Sequence, residues 1–208
     1  FERRLSRLYR RLIKPGAVVL DIGANIGAHT LPLARLVGAQ GRVIAIEPTD
    51  WAFAKLRANL ALNPDLARRV VARQALLLAR DDDEKPKAAF SSWPLAPSLG
   101  SHPRLCGREM SAGEAVGATV DAVLSREGLE RVDFVKIDVD GHEVQVLRGA
   151  DRLLRVLRPI VLLEMAPYLM AEQGDSIEVL LDLLHDAGYS VFSTSGATLD
   201  LATVRRLA

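Results

Sequence analysis

The stretch "VVLDIGANIGAHTLPLA", residues 18–34, decides the fold. A β-branched apolar run without alternation ends at Asp21, as in a strand that is buried on both faces. Gly23 and Gly27 follow, and the apolar residues then take the spacing of a helix that Gly38 ends. An acid, a glycine-rich turn and a helix start, in this order, are typical of nucleotide sites, and several kinds of nucleotide site share the outline.

Strands and helices alternate after this stretch. "RVIAIEP" (42–48) predicts a second buried strand, and residues 50–64 predict a helix with Asp50 as its N-cap. "RVVARQALLLA" (69–79) contains a third strand in its first half. This β–α–β–α–β order predicts a parallel sheet with right-handed crossovers.

The middle of the chain has a different composition. Residues 81–115 are rich in Pro, Ser and Gly and lack periodicity, which predicts a long loop that is either functional or disordered. Because this loop follows the third strand, we expect it to form a lid over a substrate. Phe90, Trp93 and Leu99 would either cover that substrate or anchor the loop, and Cys106 is interpreted as an inert small residue.

The second half continues the alternation. Its predicted elements, in chain order, are a helix from near Thr119, a fourth strand in "VDFVKIDVDG", a helix broken near Gly149, a fifth strand in "PIVLLEM", a helix capped near Gly188 and a hairpin about Ser195-Gly196. We therefore interpret residues 1–208 as one domain.

Residues 1–14 predict an amphipathic helix. Leu5, Leu8, Leu12 and Ile13 lie on one face, and arginines surround it. Such a helix either docks its leucines on the domain, which is the interpretation favoured here, or binds an anionic membrane.

Composition excludes several classes of protein. The formal net charge is +1, so no global field attracts nucleic acid, and no apolar run reaches the ~18–20 residues that span a bilayer. The first residues lack the apolar centre of a signal peptide. The single cysteine excludes an internal disulfide framework and suits a reducing compartment. We expect a cytoplasmic protein without a nucleic-acid partner; the sequence does not specify an oligomeric state.

The spacing of the glycines identifies the kind of nucleotide site. A dinucleotide fingerprint would need glycines where Asn25 and Ala28 stand, and a P-loop would need a lysine that is missing. Asp21 can accept hydrogen bonds from an ammonium group, and the following helix start favours a carboxylate. Glu47 ends the second strand, where an acid accepts from ribose hydroxyls. A ligand that joins an amino acid to a ribose fits this set, and S-adenosylmethionine is such a ligand.

Five segments together resemble a known family. "VVLDIGANIGAHTLPLA", "VIAIEP", "ATVDAVL", "VDFVKIDVDGHEVQVLRGA" and "RPIVLLEM" are similar to the FkbM family of S-adenosylmethionine-dependent methyltransferases, over about residues 15–192. The resemblance implies an α/β class I methyltransferase fold. This fold is a Rossmann-like three-layer sandwich with a mostly parallel seven-stranded sheet and a C-terminal antiparallel hairpin. The implied chemistry is O-methylation of a sugar or another hydroxylated natural-product metabolite.

The resemblance also assigns residues. The positions that match the family's cofactor motifs are Asp21, Gly23, Asn25, Gly27, Glu47, Pro48, Gln74, Ala75 and Asp138. The family usually has Glu where Asp140 stands, and the shorter side chain has less reach.

The block "KIDVDGHE" contains the candidate catalytic residues. His142 is the natural general base by its pKa, unless it only begins the next helix. Asp138 ends a strand where ligands bind and is a candidate base or acceptor-orienting group, and Asp140 is a third candidate. Asp138 and Glu164 would supply only part of a Mg²⁺ site, so we expect activity without a metal.

Two other functions fit part of the pattern. An NAD-linked oxidoreductase shares the strand–turn–helix outline, but the glycine spacing and the lack of a Tyr-x-x-x-Lys pair argue against it. A cofactor-binding interaction module without catalysis is the second alternative. The acids Asp21, Glu47 and Asp138 argue against that function.

Overall fold

The computed structural model describes residues 3–91, 108–200 and 203. Its strands are β1 (Val18–Ile22), β2 (Arg42–Ile46), β3 (Val70–Arg73), β4 (Ala75–Leu77), β5 (Ala88–Ser91), β6 (Arg108–Ser111), β7 (Val116–Ala118), β8 (Phe134–Ile137) and β9 (Ile160–Leu163). Its helices are α1 (Arg3–Leu12), α2 (Thr30–Val37), α3 (Asp50–Ala61), α4 (Pro64–Ala67), α5 (Val120–Arg126), α6 (Glu143–Arg148), α7 (Pro167–Glu172) and α8 (Ile177–Asp186), with a π-helix at Leu153–Leu157. None of the helices in this part of the chain has both the length and the apolar character that crossing a bilayer requires.

A parallel sheet of five strands forms the centre, in the order β3-β2-β1-β8-β9. Every neighbouring pair is parallel, so the sheet predicted from the five apolar runs is confirmed. The chain builds outward from β1 to β3 and then returns to place β8 on the other side of β1. Ligands of such sheets bind outside the carboxyl ends of the strands at the point of reversal, which here lies between β1 and β8.

The strand count differs from the expected seven. Within the described residues the main sheet has five strands, and the C-terminal hairpin is reduced to one antiparallel bridge between Phe192 and Thr198. The turn about Ser195-Gly196 is present, since the Ser193 N–H donates to the Ala197 carbonyl at 2.7 Å. Its residues are largely exposed, so little burial favours a longer ladder.

The prediction that residues 81–115 form one long loop is wrong in part. β5 pairs antiparallel with β6, and β7 pairs parallel with β4. These strands have only three or four residues each, which is too short for a periodic apolar signal. Trp93, Leu99 and Cys106 lie outside the described residues, as does the side chain of Phe90.

Helix ends largely follow the predicted signals. α5 begins after Thr119, whose side chain caps it, and the predicted break at Gly149 separates α6 from the π-helix. A Cβ atom at Gly149 would lie 2.3 Å from the Leu78 carbonyl oxygen, so this close approach requires glycine. α3 begins at Asp50 itself, which makes Thr49 its N-cap instead. α4 and α7 are too short for a periodic signal and were not predicted.

The core lies on both faces of the sheet. Leu20, Ile22 and Ile44 pack in a cluster with α5, α6 and α8. Val19 and Val43 pack in a second cluster with α2 on the opposite face. This arrangement confirms the three-layer α/β class.

α1 docks on the domain. Its Tyr9 is fully buried, shares a 2.8 Å hydrogen bond with Nδ1 of His29 and meets the Phe134 ring edge-on at 5.8 Å between centroids. Ile13 is buried as well, whereas Leu5 and Leu12 are only partly buried. This packing favours the interpretation in which α1 docks on the domain, with Tyr9 rather than the leucines as its main buried contact.

Candidate active site

A cavity of about 350 Å³ opens at the carboxyl ends of β1, β2 and β8. It is called the central cavity below. Its lining from these three strand ends and the turns that follow them is Ile22, Gly23, Asn25, Ile46, Glu47, Pro48, Asp138, Val139, Asp140 and His142. Ala75 lines the cavity as well, so six of the predicted cofactor residues lie there. All three candidate catalytic residues lie there too, and Asp138 belongs to both sets.

The turn after β1 approaches the turn after β8 very closely. Gly23 has a φ of 76°, and a Cβ atom there would lie 1.7 Å from the Asp138 carbonyl oxygen. No side chain fits between these backbones, so glycine is required for close packing as well as for the turn. Asn25 also has a positive φ, of 49°, and its Oδ1 is buried without a hydrogen-bond partner in the described part of the chain.

Glu47 lines the central cavity but is only 5% exposed. Its Oε2 accepts from the Asn25 N–H at 2.9 Å, and its Oε1 accepts from the Thr49 N–H at 2.9 Å and the Thr49 hydroxyl at 2.6 Å. Burial raises the pKa of Glu47 above the ordinary 4.5, although the hydrogen bonds from Thr49 and Asn25 oppose the rise. This carboxylate therefore holds the glycine-rich turn and the start of α3 together.

Asp21 does not line the central cavity. It is fully buried, accepts the Thr30 hydroxyl at 2.6 Å and faces the Lys136 ammonium at 3.7 Å. Side chains alternate along β1, so Asp21 points to the same face as Val19, toward α2. The expected contact with a ligand's ammonium is corrected: the ammonium that Asp21 faces belongs to Lys136.

Two further residues predicted to bind the cofactor, Gly27 and Gln74, lie outside the lining of the cavity. Gly27 has a φ of 92°, but it packs against α3, where its Cβ would lie 2.8 Å from Leu56 Cδ1, and it does not line the cavity. The Gln74 side chain donates to Asp50 Oδ1 at 2.7 Å and does not line the cavity either. Pro48 and Ala75, which also match the cofactor motifs, do line it.

The turn after β8 carries the catalytic candidates. Asp138 is paired through Oδ2 with Lys136 Nζ at 2.9 Å. Asp140 has a φ of 50°, and the buried Glu143 accepts through Oε1 from the N–H groups of Val139 and Gly141, each at 3.3 Å. Burial raises the pKa of Glu143 above its ordinary value. Glu143 thus fixes the turn from which the candidate residues project.

His142 is partly buried at the cavity wall. Burial lowers its pKa below the ordinary 6.5, against the opposing effect of the Asp175 charge. The imidazole is therefore neutral at pH 7 and able to accept a proton.

Sequence reasoning missed a large part of the lining. One wall is mostly apolar and comes from β4, the start of β5 and the chain that joins them; its members are Leu76, Leu77, Leu78, Ala79, Asp83, Glu84, Pro86, Ala88 and Ala89. Gln145 and Gln173 add amide groups opposite the strand ends. The first set follows the third predicted strand directly, which is a signal that could have found it. Gln173 follows the unpredicted α7, so no pattern in the sequence indicates it.

The possible metal ligands are not brought together at the cavity. Glu164 is exposed and does not line it, whereas Asp138 does. Over residues 3–91, 108–200 and 203, no group of three or more His, Cys, Asp and Glu side chains is placed to hold a metal ion. Activity without a metal stays a prediction.

Comparison with known proteins identifies relatives of this chain. A model of the methyltransferase FkbM domain matches residues 21–191. Methyltransferase sdnD from Sordaria araneosa is 32% identical in an alignment that covers 64% of this chain and 60% of sdnD. Hexuronic acid methyltransferase AglP from Haloferax volcanii is 26% identical over 77% of this chain and 61% of its own length. The 31-O-demethyl-FK506 methyltransferase FkbM from Streptomyces tacrolimicus is 28% identical over 67% of this chain and 61% of its own length.

Solved structures share the fold. Methyltransferase FkbM from Methylobacillus flagellatus KT aligns with a TM-score of 0.52 and 17% identity, over 88% of this chain and 43% of the other. A SAM-dependent O-methyltransferase from Thermotoga maritima aligns with a TM-score of 0.50 and 16% identity, over 89% of this chain and 50% of the other. The chain spans about three fifths of the curated relatives named above. Since the family model covers most of the chain, this protein belongs to the FkbM methyltransferase family.

Proposed function

We propose that this chain transfers a methyl group from S-adenosylmethionine to a hydroxyl group of a small molecule, a sugar or another natural-product metabolite. The convergence of Glu47, Asn25, Asp138 and His142 on one cavity at the reversal point of the sheet carries the proposal. The names of two relatives support the acceptor class, since one acts on a hexuronic acid and the other on 31-O-demethyl-FK506.

The residues of the central cavity fit this cofactor. The volume of about 350 Å³ lies within the range of small-molecule sites. Among the described residues, Asn25 Oδ1 is a buried acceptor without a partner, and Glu47 Oε2 accepts one hydrogen bond, from the Asn25 N–H. Ribose hydroxyls and an ammonium group are donors that such oxygens need.

Each part of the chain then has a task. When bound, S-adenosylmethionine supplies an electrophilic methyl group. Glu47 and Asn25 would hold hydroxyl or ammonium donors, and the wall from Leu76 to Ala79 would cover an apolar ring. Gln145 and Gln173 add amides that suit a polyhydroxylated acceptor.

His142 is the proposed general base. A hydroxyl acceptor has to lose its proton during methylation, and a neutral imidazole at the cavity wall can take it. Asp138 is the weaker candidate because Lys136 already occupies its Oδ2 at 2.9 Å. We assign Asp138 to orienting the ligand.

The test begins with binding. Calorimetry should show that the chain binds S-adenosylmethionine and S-adenosylhomocysteine, and binds NAD far more weakly. Turnover of labelled S-adenosylmethionine is then measured against a panel of sugars and glycosylated metabolites. NAD as the tighter ligand would replace the proposal by an oxidoreductase function.

His142→Gln should lower the methylation rate about 10²- to 10⁴-fold, the usual contribution of a general base. Cofactor affinity should stay near that of the parent. The matched control is His185→Gln, on the exposed face of α8, which should keep full activity. An active His142→Gln variant with an unchanged pH–rate profile would rule His142 out as the base.

A further inference from the structure

We propose that Lys136 is a positioning residue that fixes the carboxylate of Asp138 at the central cavity and couples it to the glycine-rich turn. This inference rests on the proposed function, because the ligand used to test it is the proposed cofactor. Neither the sequence pattern nor the family assignment gives Lys136 a role.

Lys136 sits where three strand-end groups converge. It is 4% exposed, and its Nζ lies 2.9 Å from Asp138 Oδ2, 3.7 Å from Asp21 Oδ1 and 3.4 Å from the Gly23 carbonyl oxygen. In the sheet, Lys136 on β8 is the direct register partner of Asp21 on β1. One ammonium therefore bridges β1, the turn after it and the turn after β8.

The charges explain why this bridge is needed. A buried ammonium is costly unless it is paired, and a buried carboxylate is equally costly. Burial lowers the pKa of Lys136, but the charges of Asp21 and Asp138 outweigh burial and raise it overall, so Lys136 is charged at neutral pH. Among the described residues, no other cation is within 4 Å of either carboxylate.

The bridge also fixes an orientation. Lys136 holds Oδ2 of Asp138, which leaves Oδ1 of the same carboxylate for a donor in the central cavity. The Gly23 carbonyl, bound by the same ammonium, belongs to the turn that packs against Asp138 with no room for a Cβ atom. Lys136 thus sets the distance and the angle between two walls of the cavity.

Lys136→Met keeps the length of the side chain and removes its charge. Asp21 and Asp138 would then compete for one proton, as paired carboxylates do, and Asp138 would turn inward to share it. We expect affinity for S-adenosylmethionine at pH 7 to fall roughly 10- to 150-fold, the range for losing one charged hydrogen bond. Affinity in the variant should rise with pH as the shared proton leaves.

Three other titratable groups lie near the Asp21–Asp138 pair: Glu164, Glu143 and His142. The charge of Glu164 acts on Lys136, and the charge of Asp138 affects the pKa of Glu143. Their effect on binding is present in the parent as well, so the difference between the two pH profiles isolates the Asp21–Asp138 pair. The matched control is Lys55→Met on the exposed face of α3, which should match the parent in affinity and profile.

A second variant separates positioning from charge balance. Lys136→Met should also lower the melting temperature, because it leaves two carboxylates without their cation. Lys136→Met combined with Asp21→Asn removes one charge of each sign, so it should recover much of that thermal stability. Ligand affinity should remain low, because nothing then holds Asp138. Parent-like affinity in either variant, or failure of both to fold, would overturn the proposal. If the parent itself binds neither S-adenosylmethionine nor S-adenosylhomocysteine, the proposed function fails instead.

Discussion

Glu47 has two tasks that use the same carboxylate. It accepts three hydrogen bonds from Asn25 and Thr49, and it lines the central cavity. A carboxylate offers about four acceptor sites, so about one remains for a ligand. The sequence alone suggests that this acid reaches into the cleft and accepts two ribose hydroxyls. The observed bonds leave room for one such contact and give Glu47 a structural role as well.

Truncation of Glu47 should therefore affect both stability and binding. Glu47→Ala leaves the N–H groups of Asn25 and Thr49 without their acceptor, and the free energy of unfolding should fall by about 1–3 kcal/mol. Affinity for S-adenosylmethionine should fall roughly 10- to 150-fold, the equivalent of one charged hydrogen bond. Urea unfolding of the unliganded protein and calorimetry measure the two losses. A loss of affinity at unchanged stability would assign Glu47 to the ligand alone.

The control is Glu47→Gln, which keeps one acceptor oxygen and removes the charge. The pKa of Glu47 is raised in the folded state, so its folded form binds the proton more tightly than the unfolded form. The resulting stability is present below pH 4.5 and is lost as the pH rises through the folded-state pKa. Above about pH 4.5, the free energy of unfolding of the parent should therefore decrease as the pH rises. In Glu47→Gln this decrease should be less steep. An unchanged slope would mean that Glu143, whose pKa is also raised, causes it alone.

At the scale of elements, the Asp50 side chain links the hairpin stem of β5 and β6 to α3. Asp50, the first residue of α3, accepts the Ser111 hydroxyl through Oδ2 and accepts from Gln74 Nε2 and the Glu114 N–H through Oδ1. The hydrogen bond from Ser111 is the main cause that lowers the pKa of Asp50 below its ordinary value. Because Ala88 and Ala89 of β5 line the central cavity, the hydrogen bonds of Asp50 position one wall of this cavity.

Asp50→Ala should release the hairpin stem without unfolding the main sheet. Amide hydrogen exchange should speed up in β5 and β6, where the Ala112 N–H donates to the Lys87 carbonyl at 2.9 Å, and stay slow in β1 and β8. The matched control is Asp65→Ala, another aspartate in the first turn of a helix, whose contact with Arg68 is exposed and 3.8 Å long. Equal protection of the stem in both variants would show that Asp50 does not hold it.

The sequence predicts elements where burial is two-sided and continuous. The five apolar runs became the five strands of the main sheet. The three central strands β1, β2 and β8 are buried almost throughout, which requires uninterrupted apolar residues, and the edge strands β3 and β9 carry similar apolar runs although they are only partly buried. β5 and β6 have four residues each, and their pairing joins residues about 20 positions apart, so no local pattern indicates them. α7 has six residues, which is too short for helical periodicity.

The candidate site follows the same logic. The predicted positions Gly23, Glu47 and Asp138, at strand ends where the backbone turns, line the central cavity. Asp21 and Gln74 do not line it. The alternation of side chains along β1 turns Asp21 toward α2, which the sequence could have shown, whereas the direction of the Gln74 side chain depends on Asp50, a partner from another element.

At the scale of the whole molecule, α1 packs against the three-layer sandwich and shares one of its hydrophobic clusters. The family model begins at residue 21, yet Tyr9 is among the largest fully buried side chains and contacts both α2 and the sheet. His29, its hydrogen-bond partner, precedes α2 directly and follows the glycine-rich turn. The expectation of one domain that includes this helix is therefore open to a direct test.

If α1 belongs to the same cooperative unit, Tyr9→Ala should lower the free energy of unfolding of the whole domain by about 3–5 kcal/mol, as for other large buried side chains. Tyr9→Phe keeps the ring contact with Phe134 and loses only the bond to His29, so it should cost about 0.5–1.5 kcal/mol. Far-UV circular dichroism and tryptophan fluorescence should report one coincident transition in both variants. Arg10→Ala, on the exposed face of α1, is the control and should be nearly neutral. A main transition that ignores Tyr9→Ala would make α1 a separate attachment, and the membrane-binding interpretation of its arginine face would then be the better one.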